Sequence, residues 1–241
     1  MRKVKYTDID KKRIEEAISL VEARTDAEVI PIIFRKSDNY PGAHLRCAIL
    51  FGMLIPAIIY MIPIDFDRPE LYVYGQITGL LLGYVLTFND RMKRLFCTFG
   101  EMKEEVYQRC TQAFLENGLH TTKDNTGILI AISLLEHKVE IMADYGINQK
   151  VNKNTWKEIC QGLTKKIKSG DINGGIVEAI NECGKHLIEH FPKTEDNQNE
   201  LSNQLVIDGI KKKEETKPIE TMDSSEDPSA ENNQEETNSE H

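Results

Sequence analysis

The sequence predicts an α/β domain split by a transmembrane helical hairpin and followed by a disordered acidic tail. Three observations carry this prediction. Residues 47–64 (CAILFGMLIPAIIYMIPI) and 71–88 (LYVYGQITGLLLGYVLTF) are each 18 residues without a formal charge, six residues apart. Behind them, strand-like runs at 126–134 and 138–144 are followed by two amphipathic helical patterns. Finally, the net charge of −9 belongs to one end of the chain: from Glu214 onward there are ten Asp/Glu and one Lys, so residues 1–213 are neutral.

Residues 1–43 open the predicted domain. Ile9, Ile14, Ala17, Ile18 and Val21 form an apolar stripe over 7–23, with Thr7 or Asp8 as the cap. The run 27–34 (AEVIPIIF) then reads as a strand. Pro31 has no N–H to give a ladder, so the strand is expected at a sheet edge or at a bulge.

Residues 44–90 form the hairpin, with spans at 47–64 and 71–88. Eighteen helical residues reach about 27 Å, close to the hydrocarbon thickness of a bilayer. Arg35, Lys36 and Arg46 precede the first span, and Arg91, Lys93, Arg94 and Lys103 follow the second; the link holds Asp65, Asp67 and Glu70 against Arg68. Positive flanks stay inside, which places both termini in the cytoplasm. Tyr60, Tyr72 and Tyr74 then fall near the outer interface. Gly75, Gly79 and Gly83 share one face of the second span, where another helix backbone can approach closely. That helix is either the first span, the simpler choice, or a second copy of the chain, which would make a homodimer.

Residues 91–210 supply the main part of the domain. A long amphipathic helix is expected over 91–115, continuing the second span. The continuous apolar run 126–134 reads as a buried strand, and 138–144 alternates with Val139, Ile141 and Ala143 on one face. The short link Leu135-Glu136-His137 makes the two a hairpin. Helices follow with stripes Trp156, Ile159, Cys160, Leu163, Ile167 and then Ile176, Ile180, Cys183, Leu187, and residues 200–208 offer a further short strand. The strand before the membrane hairpin has too little company to fold alone, and the sheet after it is incomplete. One domain divided by the hairpin resolves both. Residues 211–241, polar and acidic, are expected to be disordered.

Several function classes are excluded. Without a long basic stretch there is no nucleic-acid footprint. Five scattered cysteines with no C-x-x-C pair argue against a disulfide framework or a cysteine zinc site. The chain has no P-loop, G-x-G-x-x-G or G-x-S-x-G motif. Its D-x-D pairs, Asp8/Asp10 and Asp65/Asp67, do not follow a buried strand as an aspartyl-phosphate nucleophile would.

The runs Thr126-Gly127-Ile128-Leu129-Ile130 and Val139-Glu140-Ile141-Met142-Ala143-Asp144-Tyr145-Gly146-Ile147, then Trp156, Lys168-Ser169-Gly170-Asp171, Gly175-Ile176, Ala179-Ile180 and His190-Phe191-Pro192, resemble the TPM domain family. The likeness is closest to its bacterial membrane branch with a two-helix hairpin, and it spans about residues 120–208, more weakly 7–36. It implies an α/β/α sandwich around a mixed sheet. Members include a lumenal protein with acid phosphatase activity, photosystem repair factors and a receptor accessory protein, and several bind calcium through acidic residues at one end of the sheet.

Antiparallel pairing of the two strands brings Asp124 and Asn125 beside Asp144, a set of hard oxygen donors suited to Ca²⁺ or Mg²⁺. The same residues are also ordinary turn formers. Asp171 is a weaker contributor. His186-Leu187-Ile188-Glu189-His190 fits H-x-x-E-H, in which two histidines one turn apart share a zinc. That site lacks a later acidic ligand, and Leu187 belongs to the core stripe, so the histidines fit a solvated last helical turn better. The expected function is a membrane-anchored, non-catalytic binding or assembly module whose partners are the lipid bilayer and a membrane protein complex. A metal-assisted phosphatase at Asp124 and Asp144 is the alternative, and a zinc metallopeptidase a distant third.

Overall fold

A computed structural model describes residues 9–62, 68–194, 201 and 204–207. The acidic tail 211–241, the capping candidates Thr7 and Asp8, and Asp65 and Asp67 of the link lie outside the described residues.

The sheet has four strands: β1 (Glu28–Phe34), β2 (Gly127–Ser133), β3 (Lys138–Ala143) and β4 (Val206–Ile207), in the order β3-β2-β1-β4. β1 runs parallel to both β2 and β4, whereas β2 and β3 form the expected antiparallel hairpin with Ile130 opposite Ile141. One face packs Val29, Ile33, Ile128, Ile130 and Ile132 against α1 (Lys11–Glu22), α7 (Lys153–Ser169) and α8 (Ile172–His190). The other packs Ile30, Ile32, Phe34, Leu129 and Ala131 against Val106, Cys110 and Phe114 of α5 (Phe99–Glu116). The result is the α/β/α sandwich with a mixed sheet. The stripes expected on α1, α7 and α8 face the core, with Cys160 only half-buried. The α1 cap is Asp10, whose side chain accepts the Arg13 N–H at 3.2 Å.

β1 is an interior strand, which corrects the expectation drawn from Pro31. The Glu28 N–H donates to the Thr126 carbonyl at 3.2 Å, so the even residues of β1 turn their backbone toward β2 and Val29, Pro31 and Ile33 turn theirs away. On that far side the Val29 N–H donates to Glu22 Oε1 at 2.9 Å, and the β4 pairing starts only at Ile32 opposite Val206. Pro31 falls in the gap between them, where no ladder requires a donor.

The hairpin sits between β1 and α5 as α2 (Pro41–Met61) and α3 (Glu70–Leu86). Its glycine face is taken up by α2 of the same chain. A Cβ on Gly79 would lie 2.3 Å from the Phe51 carbonyl oxygen, one on Gly83 2.5 Å from the Cys47 oxygen, and one on Gly75 2.6 Å from Ile59 Cδ1. Among the described residues, α2 alone is long and apolar enough to cross a membrane. Joined to α4 (Asp90–Phe96), α3 is apolar enough too, but the pair is bent by 110°.

The single helix expected over 91–115 is therefore two. Asn89 caps α4 by accepting the Arg91 N–H at 3.0 Å, and Thr98 and Glu101 form a reciprocal capping box that starts α5 afresh. Both breaks are local capping chemistry that overrides the apolar periodicity.

The joint between hairpin and sheet lies at the carboxyl ends of β1 and β2. Glu136, 2% exposed, accepts the Ser37 N–H (2.9 Å) and the Tyr40 hydroxyl (2.6 Å) on Oε1, and the Ser133 hydroxyl on Oε2. Tyr40 holds the left-handed backbone conformation (φ 54°) that turns the chain into α2. Arg46 on α2 donates to Glu101 Oε2 and to the Phe96 carbonyl, both at 2.8 Å. Burial and the neighbouring Glu136 raise the Tyr40 pKa far above the usual range, so the hydroxyl stays a donor.

Candidate functional site

The opposite end of the sheet holds the residues singled out for an ion. β2 starts and β3 ends there, and the Asp144 N–H donates to the Gly127 carbonyl at 2.9 Å. Asp144 caps α6 (Tyr145–Lys150): its Oδ1 accepts the Tyr145 N–H at 2.7 Å. Its Oδ2 is buried and has no hydrogen-bond partner. A buried carboxylate oxygen without a donor is costly, which makes this atom the chemically unfinished part of the site.

The loop before β2 lies against the first turn of α6. A Cβ on Gly146 would meet the Asp124 carbonyl oxygen at 2.4 Å and that of Asn125 at 2.8 Å, so only glycine allows this approach. Asn125 takes a left-handed conformation (φ 52°) within a turn closed by its own N–H on the Thr122 carbonyl at 3.1 Å. The main-chain carbonyls of Asp124 and Asn125 thus lie against Gly146, two residues beyond Asp144, with Asp124 and Asn125 exposed and Asp144 half-buried. Oxygen-only donors fit a hard divalent cation. Among the described residues, no three or more His, Cys, Asp or Glu group together so as to hold a metal ion.

The other candidates separate. Asp171 caps α8 by accepting the Gly174 N–H at 2.9 Å, whereas α8 ends near the ion candidate, where the His190 carbonyl accepts Lys150 Nζ at 3.1 Å. The 19 residues of α8 put Asp171 roughly 28 Å from that end. His186 presents its ring edge-on to Trp156 with centroids 6.5 Å apart, and no third ligand joins His186 and His190 among the described residues. The zinc arrangement is not assembled.

Two acids escaped sequence reasoning. Glu22 and Glu28 are 6% and 3% exposed on either side of the α1–β1 turn. Burial, reinforced by Glu28, pushes the Glu22 carboxyl up to about 8. An acid near the end of an apolar stripe, six residues before another at a strand start, was the available signal.

Residues 92–186, from α4 to near the end of α8, match the protein family described as the TPM domain. The chain carries a TPM domain. The TPM region thus takes in β2, β3, α6 and α7, with Asp124, Asn125 and Asp144 inside it. A solved structure, the NMR structure of the BA42 protein from the psychrophilic bacterium Bizionia argentinensis, has the same fold with a TM-score of 0.53 and 19% identity. The alignment covers 86% of this chain and 99% of that one. No curated protein matches.

Proposed function

We propose that this protein is a membrane-anchored TPM-domain binding module. Residues 1–43 and 91–210 act as one domain, held by the 44–90 hairpin at the cytoplasmic face of a bacterial inner membrane, with both termini in the cytoplasm. There it binds a partner within a membrane protein complex. The observation that carries the reading is the surface of the hairpin. The best 18-residue window of α2 has a mean hydropathy of 1.8, yet only 22% of it is buried. The core helix of a soluble protein hides such a face, whereas here Leu50, Met53, Ile58, Ile77, Leu81 and Val85 point outward. A patch this large and continuous needs lipid or protein to cover it. Tyr60 and Tyr74, 76% and 64% exposed near the tip, suit the interfacial zone.

The Asp144 end faces away from the hairpin joint, separated from it by the seven residues of β1, about 23 Å. In this reading Asp144 Oδ2, with Asp124 and Asn125, holds Ca²⁺ or Mg²⁺ or a basic group of the partner. The rival reading, a metal-assisted phosphatase, uses the same oxygens to hold an ion that activates water. One assay separates them: hydrolysis of a phosphate ester by the detergent-purified full chain, with Ca²⁺, Mg²⁺ or chelator, beside Asp144→Asn. The binding module predicts background rates in every condition. Metal-dependent turnover abolished by Asp144→Asn would make the protein an enzyme.

A further inference from the structure

β3 is an edge strand, and its outer side is only partly bonded within the chain. Because the Asp144 N–H pairs with Gly127, residues 138, 140 and 142 turn their backbone inward to β2, while Val139, Ile141 and Ala143 turn theirs outward. The Ala143 carbonyl accepts Asn148 Nδ2, as that parity requires. The Cys160 thiol faces the Ile141 N–H. Among the described residues, nothing hydrogen-bonds the outward N–H and C=O of Val139.

Edge strands are usually covered or kept short. Here α5 and α7 flank β3 on its two faces but leave a groove of about 700 Å³ along it. Tyr107 and Phe114 line one wall, Trp156 and Cys160 the other, with the β3 residues between. Trp156 is 5% exposed, and its indole N–H is buried without a hydrogen-bond partner. A buried donor left unmade on a residue that lines the groove points to a missing acceptor.

The charges select the occupant. The acids that line the groove, Glu140 and Asp144, are both half-buried, Glu140 beside Lys138 and Lys103. The exposed Lys153 and Lys157 on the α7 side carry no ion pair among the described residues. Of the charged residues lining the groove, the exposed ones are these two lysines.

We propose that the β3 edge is the docking groove for an extended segment of a partner protein, which adds as a fifth strand and alternates apolar with acidic residues. Its main chain pairs with the N–H and C=O of Val139, the Ile141 carbonyl and the Ala143 N–H, its apolar side chains fill the aromatic walls, and its carboxylates meet Lys153 and Lys157. The inference builds on the binding-module reading but uses a surface separate from the hairpin.

The test uses the full chain in detergent micelles and a labelled peptide alternating valine and glutamate, with a valine–lysine peptide as control. Binding is read by fluorescence anisotropy and by residue-resolved amide exchange. The expected result is binding of the acidic peptide alone, with new protection at Val139 and Ala143. Lys153→Glu with Lys157→Glu weakens it about tenfold or more. Val139→Pro removes an outward donor without touching the β2 ladder, and the lysine pair provides a second test should that variant fail to fold. Equal binding of both peptides, or no new protection at these two amides, overturns the proposal and leaves the lysines as guards against edge pairing. Protection that appears only as the chain dimerises also overturns it, in favour of a second copy. Membrane partitioning of the same samples reports separately on the anchor.

Discussion

Gly79 and Phe51 set how closely the two hairpin helices approach, since any Cβ at Gly79 would press to 2.3 Å from the Phe51 carbonyl oxygen. Backbone cannot retreat as a flexible side chain can. Gly79→Val therefore forces α2 and α3 apart at a cost of about 1–3 kcal/mol. The thermal midpoint of the detergent-solubilised chain should fall. Gly100→Ala, where an added Cβ meets nothing within 4 Å, is the control and should leave it unchanged or slightly raised.

Glu136 ties the β2–β3 turn to the segment leading into α2. Glu136→Ala leaves the buried Tyr40 hydroxyl and the Ser37 N–H without their acceptor. A loss of about 3 kcal/mol is expected in urea unfolding, and limited proteolysis should open the 35–40 segment first. Tyr40→Phe, which removes a single hydroxyl, should cost less.

Glu22 makes stability depend on pH. Its carboxyl titrates near 8 when folded and near 4.5 when exposed, so between those values the folded state holds the extra proton. Stability from this group is complete below about 4.5 and is lost as pH rises toward 8. Glu22→Gln should remove that slope and stabilise the protein at pH 8 by on the order of 2 kcal/mol. Unfolding midpoints measured across this range for both forms check the sign.

Asp144→Asn separates ligation from capping. Asparagine caps a helix about as well as aspartate but carries no charge. If Asp144 Oδ2 holds a cation, millimolar Ca²⁺ raises the wild-type thermal midpoint and leaves the variant where it was. Asp171→Asn, at the far end of α8, should keep the wild-type response.

Much of the fold was legible because it is local. The alternation of Val139, Ile141 and Ala143, the apolar run of β2 and the short link between them define the β2–β3 hairpin. The α7 and α8 stripes likewise follow their 3.6-residue period. Asp144 beside Asp124 and Asn125 followed from that pairing alone. The interior position of β1 was not legible, because it depends on a two-residue β4 about 170 residues later and on which side of the strand Pro31 faces. The break before α5 was present as Thr98 and Glu101 at capping-box spacing, but the apolar pattern running through it was the louder signal. Glu136 and Tyr40, 96 residues apart, meet only in the folded chain.

The central claim is the membrane anchor, and alkaline carbonate extraction of membranes from cells making the full chain tests it most directly. The account predicts that the protein stays in the membrane pellet, and that a chain lacking residues 44–90 is released. Quantitative release of the full chain into the supernatant would contradict it, and would mean that the exposed face of α2 and α3 is covered by protein rather than lipid.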